Sequence, residues 1–359
     1  MKRILVVANL YPSKKDPTFG TFVKNFVDEI YEYMPEVVVE KSVISGRTSS
    51  ALIKILKYIR FYSVTFYKLM LRRYDLVYIH YISHSIPPVW LVSKLKRLQI
   101  AFNIHGDDLL VKNRQGEFFL KMAISLMKTS KLVVVPSDYF AGILINIVPD
   151  ISKNSIFVSP SGGIKQSFFI RESHSVDGVL RIGYVSRVDK GKGWNVFLKS
   201  VAQMKAMGIK VQAKIIGRGT QVDEMYAMIK ELEIEGDVKY LGPIPHDELP
   251  KYYCEFDLFI FPTTLFESLG LVGLEAMASG TPVIGSRIGG LITYIDDNKN
   301  GYLFEPGNFN DLSEKIRIFC LLSDNEKDNL RDVARKTALD YRSELISKRL
   351  FNKISEIYN

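Results

Sequence analysis

The chain has 359 residues, enough for two domains rather than one small core. Hydrophobic residues make up 47% and charged residues 24%, an ordinary globular composition that excludes a low-complexity or fibrous chain. The net charge of +9 is uneven: residues 1–165 carry 23 Lys+Arg against 12 Asp+Glu, while the remainder carries 25 against 27. A basic first half and a near-neutral second half point to an anionic partner for the first: a membrane surface, a phosphorylated acceptor or nucleic acid. No zinc-ligand spacing, helix-turn-helix or RNA-binding signature supports nucleic acid, so none is expected. Two cysteines, Cys254 and Cys320, give no disulfide framework, and a reducing cytoplasm is expected. No apolar run reaches the roughly 20 residues a membrane span needs.

In chain order, Arg3–Ala8 reads as a buried strand rather than a signal peptide, because its apolar run is short and ends at Asn9-Leu10-Tyr11-Pro12. A loop to Gly20 and a helix over Thr21–Tyr33 complete a βα unit, and Gly20 either clears space for a ligand or starts the helix. Val37–Ile44 reads as strand. Ser49–Arg73 then carries Lys54, Lys57, Arg60, Lys68, Arg72 and Arg73, with no acid and many aromatic and aliphatic residues. Such a helix suits an anionic membrane interface; the plainer reading is a domain helix that buries its apolar side and solvates its lysines. Asp75–Tyr81 reads as strand. His80 and His84 have a metal-pair spacing, but Ile82–Ser85 reads as loop before Pro87-Pro88, and no metal is expected.

The strand Ile100–Ile104 delivers His105-Gly106-Asp107-Asp108 at its C-terminal edge. His105 there can donate to a substrate hydroxyl or phosphate, or serve as a structural histidine in the turn. Asp107-Asp108 is expected to cap the next helix. Further strands are expected at Lys131–Val135 and Ser155–Val158, and Lys165–Gly178 reads as an interdomain linker.

The second half restarts with the strand Arg181–Ser186, followed by Arg187-Val188-Asp189-Lys190-Gly191-Lys192-Gly193 before a helix from Trp194. Arg187 and Lys192 beside glycines at a helix N-terminus form a phosphate clamp, or else a solvated basic turn. Val211–Ile216 and Asp237–Leu241 read as strands, the second running into Gly242-Pro243-Ile244-Pro245-His246, a turn that can expose backbone to a nucleobase. The most informative stretch follows. Leu258–Phe261 reads as strand, Leu271–Ala278 as helix, and Gly280 as its left-handed cap. Glu267 and Gly270 lie in the loop between them, and Glu275 lies one turn into the helix. Acids for hydroxyls beside a helix N-terminus for phosphate suit a nucleotide-activated sugar at the end of a parallel sheet. Two glutamates at one spacing also arise by chance, so the other motifs must decide.

Together these motifs resemble a GT-B glycosyltransferase of the family 4 type, the glycosyl transferases group 1, with bacterial polysaccharide-synthesis members among its look-alikes. The resemblance covers nearly the whole chain and rests on Glu267-x7-Glu275, on Arg187 with Lys192, on Glu275-Ala276-Met277-Ala278-Ser279-Gly280-Thr281-Pro282-Val283-Ile284, and on Tyr11-Pro12 with Gly20-Thr21-Phe22-Val23.

The resemblance implies an α/β chain of two Rossmann-like domains facing a central cleft. They would be residues 1–165 on the acceptor side and 166–339 on the nucleotide-sugar side, with a helix over 340–359 crossing back. It implies transfer with retention of anomeric configuration and no essential metal or cofactor, the nucleotide-sugar being a substrate. The donor would be a UDP-sugar in preference to a GDP-sugar. The acceptor would be a polysaccharide or a polyprenyl-linked saccharide, and residues 50–73 would rest on the inner face of an anionic membrane. By position, Arg187 and Lys192 would bind the diphosphate with amides of Ser268, Leu269, Gly270 and Leu271, and Glu275 would hold the ribose. Glu267 would contact the sugar, His105 would place the transition state, and Gly20 would leave room near the phosphates. The chain departs from the family's usual Gly-Phe at Ser268-Leu269 and from its Pro-Glu at Ile292-Thr293. A nucleotide-sugar epimerase and a non-catalytic sugar-nucleotide binder are the alternatives on the same fold.

Overall fold

The computed structural model describes residues 1–111, 113–170 and 177–357. They form two compact α/β units: residues 1–162 with 346 onward, and residues 163–345. In the first, β1 (Arg3–Tyr11), α1 (Thr21–Tyr33), β2 (Val38–Ser45), α2 (Ala51–Leu71), β3 (Leu76–His80) and α3 (Ile82–Ser93) alternate. They are followed by β4 (Ile100–Asn103), α4 (Arg114–Met127), β5 (Leu132–Val135), α5 (Asp138–Ile147) and β6 (Ile156–Val158). The second unit runs β7 (Leu180–Val185), α6 (Trp194–Ala206), β8 (Val211–Ile216), α7 (Val222–Glu231), β9 (Val238–Gly242), α8 (Leu249–Tyr253), β10 (Leu258–Phe261) and α9 (Leu271–Ala278). It ends with β11 (Val283–Ser286), β12 (Gly301–Phe304), α10 (Phe309–Leu321) and α11 (Asp324–Leu339), before α12 (Ser343–Ser355).

Both sheets are six-stranded and parallel, with orders β2-β1-β3-β4-β5-β6 and β12-β11-β10-β7-β8-β9. Helices cover both faces of such sheets, which is why the strands read as continuous apolar runs: β3, β5, β10 and β11 are buried at every position. Each sheet has a switch point, between β1 and β3 in the first unit and between β7 and β10 in the second, where diverging connections leave a crevice at the strands' C-terminal ends.

Three expectations are corrected. The segment read as a linker is not one where it is described: Phe168 is fully buried in the second unit and accepts from Ser279 Oγ at 3.0 Å. Ile164 N also donates to Tyr341 O at 2.7 Å, so the second unit begins at residue 163 rather than 166. Residues 171–176, the centre of that segment, and residues 358–359 at the end of the expected final helix lie outside the described residues. The first unit takes up the chain again at Ile346, and Leu350, Phe351 and Ile354 join the core built by Ile4, Val6 and Tyr78. Finally, Ile82–Ser85 is not loop but the first turn of α3, which contains both Pro87 and Pro88.

Candidate functional site

In the second unit the switch point gathers the loop after β7 and the loop after β10. Gly191 and Gly193 have φ of +86° and +78°, and a side chain on Gly193 would lie 1.8 Å from the Pro262 carbonyl oxygen. Gly191 O accepts from Thr264 N at 2.8 Å. The two glycines therefore press the cationic loop onto the acidic one. Gly193→Ala should cost the left-handed penalty plus a backbone clash, about 2–5 kcal/mol together, and lower the unfolding temperature by roughly 5 °C or more in a calorimetric scan.

The docking brings Lys192 onto Glu267: Nζ donates to Oε1 at 2.6 Å, with side chains only 14% and 18% exposed. The same oxygen accepts from Thr263 Oγ1 at 3.0 Å. Arg187 is placed differently. Its Nη1 donates to Asp189 Oδ2 at 2.8 Å on an exposed edge, while Asp189 Oδ1 accepts from the Thr220 amide and hydroxyl. Those Thr220 bonds hold the Asp189 carboxyl below its usual range. Each cation of the expected clamp thus has its own acid.

Gly270, at φ +85°, turns the chain into α9, and Leu269 is buried beneath the turn. The first N–H groups of a helix have no intrahelical acceptor, so the Leu271 end of α9 offers amides and a positive dipole end beside the Lys192–Glu267 pair. Tyr294 OH donates to Gly270 O at 3.1 Å and occupies the place a Gly273 side chain would take. The loop is also bound to its successor: Gly290 N donates to Glu267 O at 2.8 Å, and a Cβ on Gly290 would come within 2.5 Å of Ser268 O and Leu269 Cα.

Glu275 is buried, 5% exposed. Oε1 lies 2.8 Å from His246 Nε2, and Oε2 accepts from Tyr253 OH at 3.1 Å. The bond to Glu275 raises the His246 pKa above its ordinary value; the nearby Lys165 opposes this and Asp247 supports it. Burial pushes the Tyr253 hydroxyl well up. His246 is about half exposed while Tyr253 is fully buried, so the histidine is the movable partner of the pair.

In the first unit, His105 follows β4 and its Nε2 lies 3.2 Å from Nδ1 of His80, the last residue of β3. Burial lowers both pKa values, that of His105 to about 3, and the rings are neutral at physiological pH. Phe22 packs over His105 at 4.2 Å between centroids. Asp108 does not cap the next helix, whose N-cap is Asn113. It accepts instead from the amides of His105, Gly106 and Ile82, at 3.0, 2.9 and 3.2 Å, fixing the His105 turn and starting α3. Tyr81, between β3 and α3, holds a left-handed φ of 59°, an uncommon conformation for a bulky side chain and one found at functional edges. Gly20 (φ +71°) has a reason of its own: a Cβ there would lie 2.7–2.8 Å from the backbone of Leu10 and Tyr11. His84 lies on α3 beside Ser83, apart from the His80–His105 pair, and among the described residues no three His, Cys, Asp or Glu gather as metal ligands.

Sequence reasoning missed His246, Tyr253, Thr263, Asp189 and Tyr294, each a partner to a residue it had singled out. It read His80 only for metal. Only His246 carried a signal, standing at the end of the Gly242–Pro245 turn.

Residues 166–337 match the family described as glycosyl transferases group 1. Among curated relatives, a D-inositol 3-phosphate glycosyltransferase of Corynebacterium jeikeium is 32% identical over 150 residues, 40% of this chain and 36% of that protein. The matched stretch thus spans about a third of that relative's length. An N-acetyl-alpha-D-glucosaminyl L-malate synthase of Bacillus anthracis is 26% identical over 291 residues, 76% of this chain and 72% of that protein. Among solved structures, Anabaena HepE in complex with UDP superposes with a TM-score of 0.76 at 20% identity, covering 99% of this chain and all of the other, which establishes the likeness of fold.

Proposed function

We propose that the chain, whose residues 166–337 match the glycosyl transferases group 1, moves a sugar from a nucleoside diphosphate donor to a saccharide or polyprenyl-linked saccharide acceptor, with retention of configuration and without a metal. The observation that carries this reading is the Lys192–Glu267 pair at a sheet switch point, beside the N-terminus of α9. A cation, an acid and the amides of a helix N-terminus side by side suit a phosphate next to a hydroxyl-bearing sugar.

In this reading Lys192 leaves Glu267 for the donor diphosphate, joined by Arg187 and by amides of Ser268–Leu271, and the freed Glu267 accepts from the sugar hydroxyls. Glu275 takes the ribose hydroxyls on the oxygen that His246 vacates, while Tyr253 holds the other. His105, neutral and oriented by His80, serves the sugar in the transition state, and Gly20 gives clearance near the phosphates. No residue is placed as a nucleophile. The acceptor hydroxyl oxygen therefore bonds to the anomeric carbon on the face the phosphate leaves. The bond from that carbon to the phosphate oxygen breaks with its electron pair, and the acceptor's proton passes to that oxygen. A UDP-sugar is the preferred donor in view of HepE, described with UDP and with UDP-glucose.

Release of nucleotide from a panel of UDP- and GDP-sugars, with and without polyprenyl-linked saccharides, tests the proposal. Acceptor-dependent release is expected. An epimer formed from donor alone would favour the epimerase, and donor binding without turnover the silent binder.

The role of His246 gives a pH test. Its folded pKa is raised, so its pairing with Glu275 contributes stability below the unfolded value of about 6.5, and this is lost as pH rises through the folded value. Protonated His246 also competes with the ribose for Glu275. The donor KM should therefore rise as pH falls through the folded pKa. His246→Asn should flatten that rise; an unchanged profile overturns the displacement.

Membrane contact at residues 50–73 belongs to the same proposal, and places the protein peripherally on the cytoplasmic face. Its support is that α2 is apolar on both sides. Phe61, Thr65 and Leu69 are buried, yet Leu52, Leu56, Ile59 and Tyr67, spaced as one helical face, are each more than half exposed. Of its cations, Lys57 donates to Ser45 O and Gly46 O, and Lys68 and Arg72 pair with Glu40. That leaves Lys54, Arg60 and Arg73 for an anionic surface.

A further inference from the structure

Between α2 and α3 runs an apolar groove of about 820 Å³, where Tyr62, Phe66 and Tyr67 face Pro87, Pro88 and Leu91. Pro87 and Pro88, both inside α3, form part of its wall. Arg72 stands at one end of the groove and also lines a second, polar pocket of about 330 Å³ with Arg73, Asp75, Lys96 and Arg97. In that pocket Arg72 pairs with Glu40, a carboxylate it shares with Arg3 and Lys68, Asp75 accepts from the Arg3 amide, and Lys96 donates to Arg72 O. Arg73 and Arg97, both exposed, have no ion pair among the described residues. An apolar slot of lipid-chain character thus opens into a net-positive recess.

We propose that this composite site holds one anionic glycerophospholipid, with its phosphate among Arg73, Lys96 and Arg97 and one acyl chain in the Tyr62–Leu91 groove. Charge complementarity selects an anionic headgroup. The groove is continuous with the exposed stripe of α2 through Tyr67, so a lipid leaving a bilayer reaches it without crossing water. The position separates this lipid from the sugar acceptor. Arg72–Asp75 and Lys96–Leu98 precede β3 and β4, whereas His80 and His105 lie at the far ends of those strands. At about 3.3 Å per residue the two edges are roughly 13 Å apart. The site anchors and orients the first unit rather than presenting substrate, and it rests on the membrane-contact reading.

The test titrates dihexanoyl phosphatidylglycerol, kept monomeric, into the whole chain by NMR, with dihexanoyl phosphatidylcholine as the uncharged control. Saturable one-to-one binding of the glycerol lipid is expected, at least tenfold tighter than the choline lipid. The double variant Arg73→Glu with Arg97→Glu, and separately Leu91→Glu, should weaken it tenfold or more with unfolding temperatures unchanged, since all three side chains are exposed. Ile55→Glu, on the outer face of α2, should leave monomer binding intact while reducing pelleting with phosphatidylglycerol vesicles. Pelleting without saturable monomer binding would overturn the lipid site and leave membrane contact standing. Loss of both would overturn the two together. Binding of farnesyl phosphate but not of the glycerolipid would show that the occupant is wrong.

Discussion

Lys192→Ala should lower kcat/KM for transfer about 10²–10³-fold, the usual loss when one positioned donor to a developing anion is removed. The side chain has two tasks. With donor present it would meet the leaving diphosphate, whose charge grows as the bond to the sugar breaks, so most of the loss should fall on kcat. Without donor it neutralises Glu267 at 2.6 Å in a site where both side chains are largely covered. Removing it strands the carboxylate with Thr263 as its remaining side-chain donor. A stability loss of about 1–2 kcal/mol is expected, smaller than for a fully buried pair because part of the site stays wet. The double variant Lys192→Ala with Glu267→Ala should recover part of that stability and none of the activity. Parental rates in Lys192→Ala would sink the donor-site assignment.

Glu275→Ala should behave differently. The ribose is remote from the reacting bond, so its hydroxyls bind equally in ground and transition states. The expected result is a donor KM raised about 100-fold with kcat little changed, for two charge-assisted hydrogen bonds. The variant also strands the buried Tyr253 hydroxyl and frees His246, at about 2–3 kcal/mol. Glu275→Gln keeps the shape and an acceptor for Tyr253, and should restore most of the stability but only part of the affinity. A loss confined to kcat would move Glu275 from donor binding to the chemistry.

What could be read from the residues was whatever is local. β8, β10 and α9 have the limits the apolar runs, Gly270 and Gly280 mark, because a buried parallel strand and a glycine-bounded helix leave their signature in adjacent positions. Lys192 and Glu267 were each legible as a charge in a loop at a strand end. What was not legible depends on partners far along the chain. The α3 helix starts because Asp108, 26 residues on, accepts from Ile82 N; without that bond, Pro87-Pro88 reads as a break. Glu275 is buried because His246 and Tyr253, 29 and 22 residues before it, satisfy both oxygens. Phe168 looked like linker because its apolar run, Phe168–Ile170, is only three residues long and lies between polar stretches, and only the core it enters shows otherwise.

The closeness of Gly289 and Gly290 to the Glu267–Leu269 backbone bears on how donor choice could be redesigned. With approaches of 2.5–2.9 Å for any added Cβ and a hydrogen bond between the loops, the acidic loop and the segment reaching Ile292-Thr293 behave as one piece of backbone. A library that varies residues 292–293 alone would shift Glu267 as a side effect, and one that varies residues 264–269 alone would find its solutions vetoed by the glycines. Productive variants would have to be drawn from both segments at once, with Gly289 and Gly290 held fixed.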